Sequence, residues 1–136
     1  MRKIGIPLLY ISSILMFIGG LGDQFIFSFL DVHLKYLGNP ENSELLQKAQ
    51  SLAMFMLHSA GGGLMSAGIS MFALTHFGIR NEQSWAAWTF IIIAFIAQGF
   101  NGYGMYSAGS HYWYPILVLA FALIGFGLVK TRSRNE

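Results

Sequence analysis

From Ser51 to Phe77 the chain reads SLAMFMLHSAGGGLMSAGISMFALTHF, and ahead of His76 at its far edge the one readily ionised side chain is His58. A helix crosses a bilayer with about 20 mostly apolar residues, so 51–79 is expected to be a transmembrane helix. In water each of the consecutive glycines Gly61, Gly62 and Gly63 would cost a helix roughly 1 kcal/mol against alanine. In hydrocarbon the backbone has no other hydrogen-bond partner, and the helix persists. On a 3.6-residue repeat Ser59, Gly63, Ser66 and Ser70 fall near one stripe, and Gly62, Ser66 and Ser70 repeat at four. Gly62, Gly63, Ser66 and Ser70 are therefore the expected helix-packing residues, a small-xxx-small face against a neighbouring backbone. A cleft holding a lipid tail or a flat cofactor is the competing reading. His58 projects over Gly61 and Gly62, while His76 lies roughly 27 Å further along the same helix, too far for the two to share a metal.

The rest of the chain has the same character. With 54% hydrophobic and 10% charged residues in 136, one membrane domain, residues 1–136, is expected. A pI near 9.0 does not point to nucleic acid, because the basic residues stand at helix ends rather than in a patch. Cysteine is absent, which removes disulfides and thiolate chemistry. The opening MRKIGIPLLYISSILMFIGG has the look of a signal peptide, but its apolar run continues to Leu30 without a small-x-small cleavage site, so a retained first helix is expected.

Spans are expected at residues 4–30, 51–79, 85–106 and 111–129, with an outer polar connection at 31–50. In that connection Asn39 and Pro40 suit the start of a helix whose dipole Glu41 and Glu44 would complement. Trp85 and Trp88 read as interface anchors, and Tyr103, Tyr106, His111, Tyr112 and Trp113 as a second aromatic belt. The fold class is thus all-α: a polytopic membrane protein, a four-transmembrane-helix bundle. Alternating loops collect Arg2, Lys3, Arg80, Lys130, Arg132 and Arg134 on one side and Lys35 and Lys48 on the other. That bias puts both ends of the chain on the cytoplasmic side of a bacterial-type inner membrane.

Helix rise then gives depths. His58 lies about 10 Å below Ser51, Gln98 and Asn101 roughly 20 and 24 Å above Trp85, and Asp23 about 24 Å above Pro7. Asp23, His58, Gln98 and Asn101 are expected to converge on one outward-facing ligand pocket rimmed by Tyr103, Tyr106 and His111. A carboxylate beside His58 would make a proton-transfer pair. Metal or haem ligation needs more convergent ligands than the chain offers, and no metal site is expected. GxSxG, HExxH and GxGxxG are absent, which leaves hydrolase and nucleotide motifs unsupported.

The stretch HSAGGGLMSAGISMFALTHFGIRNEQSWAAW resembles small bacterial four-helix membrane proteins of the DoxX-like kind, over residues 51–128. The resemblance implies the fold, and through some relatives a link to quinone oxidation; no catalytic residue or cofactor carries over. Two function classes follow. One is a non-enzymatic membrane protein, either an accessory subunit with a membrane-protein partner or homo-oligomer, or a binder of a lipid-like molecule such as a quinone. The other is an intramembrane enzyme or proton-coupled site using Asp23 and His58.

Overall fold

In a computed structural model, described here for residues 2–38 and 44–130, the chain is all-helical among the described residues. Helix α1 spans Arg2–Asp23, a short α2 spans Asp31–Tyr36, α3 spans Glu44–Ala73, α4 spans Ser84–Ser107 and α5 spans Trp113–Lys130. After Ala73, α3 widens into a π-helical turn, Leu74–Gly78, and tightens to a 3-10 turn, Ile79–Asn81. Four of these helices, α1, α3 with its continuation to Asn81, α4 and α5, are long and apolar enough to cross a membrane. The expected cap at Asn39, Pro40 and Glu41, and the basic residues Arg132 and Arg134, lie outside the described residues.

The four long helices run up, down, up, down. α1 occupies the centre, packed most extensively on α3 and next on α5, while α4 packs on α5 and meets α3 mainly around the π turn. The bundle is therefore organised around its first helix rather than around the glycine-rich one. Two glycine contacts explain why. Gly20 faces Gly61 and Leu64 of α3, and Gly68 faces the Phe17 backbone and the Ser13 carbonyl of α1; any Cβ there would collide with backbone. On the other side of α1, Gly5 meets the Gly125 carbonyl and Leu9 packs over Gly125. With no Cβ in the way, backbones approach to the distance at which dispersion contacts are most numerous. Ser12 adds a hydrogen bond to the Val118 carbonyl at 3.0 Å, and Tyr114 donates to the Leu15 carbonyl at 2.6 Å.

The expected packing face of α3 is corrected. Gly62 and Gly63 have nothing within 4 Å of a built Cβ, and Ser66 and Ser70 are exposed, each donating back to the carbonyl four residues earlier. The buried positions are instead Met54, Gly61, Leu64, Gly68 and Met71, followed by Thr75 and Gly78. Their spacing of three and four is that of a helix seam. Serine and glycine are small on every side of this helix, so smallness alone does not select a face; the larger Met54, Leu64 and Met71 do.

Element ends differ from the expected spans as well. α1 stops at Asp23 instead of continuing to residue 30, and α3 begins at Glu44, ahead of Ser51. At the basic end, Arg2 donates to the Ile79 and Arg80 carbonyls at 3.0 and 2.7 Å and pairs with Glu82, which ties the start of α1 to the α3–α4 turn. Gly78 fits directly against Ala86 across that turn, and Lys130 of α5 donates to Ser84 at 3.0 Å. Arg2, Ser84 and Lys130 thus stand at one level.

Candidate functional site

The end of the bundle opposite Arg2 and Lys130 carries Asp23 and His58. Beyond Asp23 the chain leaves α1 through an irregular segment, 24–30, before α2. Irregular backbone exposes unpaired amides and carbonyls, and one of two reciprocal hydrogen bonds with α3 satisfies part of that need. Gln24 donates its side-chain amide to the His58 carbonyl at 2.8 Å, and His58 Nε2 donates to the Ile26 carbonyl at 2.8 Å. A carbonyl only accepts, so the Nε2 proton is committed, and Nδ1 is the ring's remaining nitrogen. Phe27 stands edge-on to the imidazole at 5.6 Å between ring centres.

Asp23 is half-buried in the last turn of α1, against Gly61: a Cβ on that glycine would lie 2.7 Å from the Asp23 Cβ. Two of the expected pocket residues, Asp23 and His58, are therefore brought into one neighbourhood, with Gln24 between them.

Gln98 and Asn101 form a separate pair. Asn101 donates to Gln98 Oε1 at 3.3 Å, while Gln98 is fully buried and its Nε2 has no hydrogen-bond partner in the described structure. Their level is set from the basic end. Asp23 stands 21 residues beyond Arg2, about 32 Å by helix rise, whereas Gln98 stands 14 residues beyond Ser84, about 21 Å. The expected common depth counted α1 from Pro7; the Arg2 anchor moves that origin back by five residues and lifts Asp23 clear of Gln98. Tyr103, Tyr106 and His111 are exposed on the last turns of α4 and the following loop, where Tyr106 meets Tyr112 edge-on at 5.4 Å.

Beside His58 an open crevice of about 410 Å³ is lined by Phe27, Gln47, Gln50, Ser51, Met54 and Phe55. A neighbouring one of about 250 Å³ lies between α2 and α3, walled by Phe29, His33, Tyr36, Ala53 and Leu57, with Ala108 reaching it from the end of α4. Both combine aromatic walls with a few polar groups, the composition of small-molecule sites. Gln47, Gln50 and Tyr36 were outside the expected site because they sit in the polar connection. Their signal was amphipathic spacing continuing N-terminal to Ser51. Among the described residues no three His, Cys, Asp or Glu side chains cluster as a metal site.

The class that fold and site define is a small all-helical bundle with four helices long and apolar enough for a membrane and a polar-rimmed crevice at one end. No protein-family model, curated protein or solved structure matches this chain.

Proposed function

We propose that this protein is a non-enzymatic integral membrane protein that holds a lipid-like small molecule in the crevice beside His58. Both chain ends lie on the cytoplasmic side in this reading, because Arg2, Lys3, Arg80 and Lys130 share one end of the bundle. The DoxX-like resemblance contributes only the four-helix membrane architecture.

The observation that carries the proposal is the reciprocal latch between residues 24–30 and α3. It commits the His58 Nε2 proton to the Ile26 carbonyl and fixes the ring as a wall of the crevice, with residues 24–30 tied to α3 beside it. The wall beyond is aromatic and aliphatic, as an isoprenoid or acyl chain requires, and Gln47, Gln50 and Ser51 supply polar contacts for a head. A second reading, a proton-coupled site, is favoured by Asp23 and His58 meeting in one neighbourhood around Gly61 and Gln24.

Extraction from native membrane in mild detergent, followed by mass spectrometry of co-purifying small molecules, tests the proposal. A lipid-like molecule, quinones included, should be retained by the wild type and lost from Ser51→Trp, which fills the crevice from an exposed position. Recovery of a stoichiometric protein partner and no small molecule would replace it with an accessory-subunit role. Retention that survives Ser51→Trp but is lost in Asp23→Ala would favour the proton-coupled reading.

A further inference from the structure

A different groove, at the basic end of the bundle, has a charged head and an apolar body. The head is built around the π turn. His76 Nδ1 lies 3.1 Å from the Tyr10 hydroxyl and 3.5 Å from Arg80 Nη1. These two contacts gather Tyr10, His76 and Arg80 into one polar cluster.

Arg80 is available in a way Arg2 and Lys130 are not. Arg2 is consumed by two backbone carbonyls and Glu82, while Lys130 is held by Ser84 and lies over the Trp88 ring at 4.9 Å. Among the described residues Arg80 has no carboxylate within ion-pairing distance, and it is exposed. The π turn contributes to this arrangement. It takes more residues per revolution than an α-helix and so offsets the angular drift that residues 72, 76 and 80 would accumulate at four-residue spacing.

The body begins at Phe72, whose ring lies parallel to His76 within 6° and 4.8 Å from Tyr10 between centres. Phe72 also lines a slot of about 170 Å³ between α1 and α3, together with Ser13, Ile14, Phe17, Gly68 and Ile69. At Gly68 the two helices meet backbone to backbone, and the slot lies alongside that contact. It runs from the cation toward the middle of the apolar helices, the direction of an acyl chain from its headgroup.

We propose that this groove binds an anionic glycerophospholipid, with its phosphate on Arg80 and one acyl chain in the slot beside Phe72 and Ile69. The inference rests on the membrane placement above but not on the crevice at His58. An uncompensated guanidinium matches a phosphate, and a furrow opening sideways to lipid at the same place matches a chain attached to one.

The purified protein is equilibrated in mixed micelles with phosphatidylglycerol and phosphatidylcholine of identical acyl chains, and retained lipid is counted by native mass spectrometry. The wild type should retain phosphatidylglycerol preferentially. Arg80→Gln should lower that preference roughly fivefold, from about 1 kcal/mol per basic side chain at an anionic surface and 1.4 kcal/mol per tenfold. Ile69→Trp, which closes the slot from an exposed position, should reduce retention of both lipids. His58→Ala should leave the preference as it is, so loss of the His58 ligand and loss of this lipid are scored separately. Equal retention of the two lipids by the wild type, an unchanged preference in Arg80→Gln, or an unchanged load in Ile69→Trp would each overturn the proposal. So would displacement of phosphatidylglycerol by millimolar inorganic phosphate, which would make this a free-anion site. If Arg80→Gln fails to fold, as judged by circular dichroism, Ile69→Trp alone decides.

Discussion

A single methyl group at Gly20 should loosen the pairing of α1 with α3. A Cβ built there lies 2.7 Å from Met65 N and 2.8 Å from the Leu64 Cβ, and presses on the Gly61 carbonyl oxygen. Ordinary contact begins at 3.4 Å, so clearing Met65 N alone parts the helices by 3.4 minus 2.7, about 0.7 Å, and the Gly61 oxygen demands more. Two of the three obstructing atoms are backbone, and no rotamer change relieves them. A gap of about 0.5 to 1 Å forfeits a quarter to a half of each dispersion contact it opens. Overpacking of this kind costs about 1–3 kcal/mol, and the backbone obstruction puts Gly20→Ala in the upper half of that range. Gly62→Ala and Gly63→Ala meet nothing within 4 Å. Helix propensity moves them between zero and about 1 kcal/mol in the stabilising direction. Reversible unfolding by sodium dodecyl sulfate in mixed micelles, followed by far-ultraviolet circular dichroism, separates the two outcomes. If Gly20→Ala unfolds at the same detergent fraction as Gly62→Ala, the close approach of α1 to α3 at Gly61 is wrong.

Other perturbations test the remaining contacts. Gln24→Ala combined with His58→Phe removes both bonds of the latch and should cost about 1–3 kcal/mol, with faster hydrogen exchange confined mainly to residues 24–30. Tyr114→Phe loses the bond to the Leu15 carbonyl and should cost about 0.5–1.5 kcal/mol in the same unfolding assay, leaving the 24–30 amides unaffected. Gly78→Ala, pressed against Ala86, should destabilise by about 1–3 kcal/mol, and an unchanged midpoint would contradict the α3–α4 turn. Because the chain lacks cysteine, Lys3→Cys and Lys48→Cys can be labelled in intact cells without background. A membrane-impermeant maleimide should reach only Lys48→Cys, and labelling of Lys3→Cys alone would invert the proposed orientation.

Residue type and spacing along the chain were enough to predict a helical protein with four long apolar segments, because hydropathy over about 20 residues is a local property that needs no partner. They also picked out Asp23 and His58, since an ionisable group is conspicuous among apolar neighbours whatever surrounds it. Which small residues pack was not legible from smallness: Gly61 and Gly68 meet α1, while Gly62, Gly63, Ser66 and Ser70 look outward. That choice depends on the ridge presented by another helix. Depth was equally hidden, because levels in different helices compare only when a cross-link sets their common origin, and here Arg2 sets it through bonds to residues 79, 80 and 82. Sequence alone therefore determined the elements and their polar exceptions. Tertiary structure decided their register, and with it the separation of Asp23 and His58 from Gln98 and Asn101 and the meeting of Tyr10, Phe72, His76 and Arg80, since side chains far apart in the chain become neighbours only through backbone contacts elsewhere.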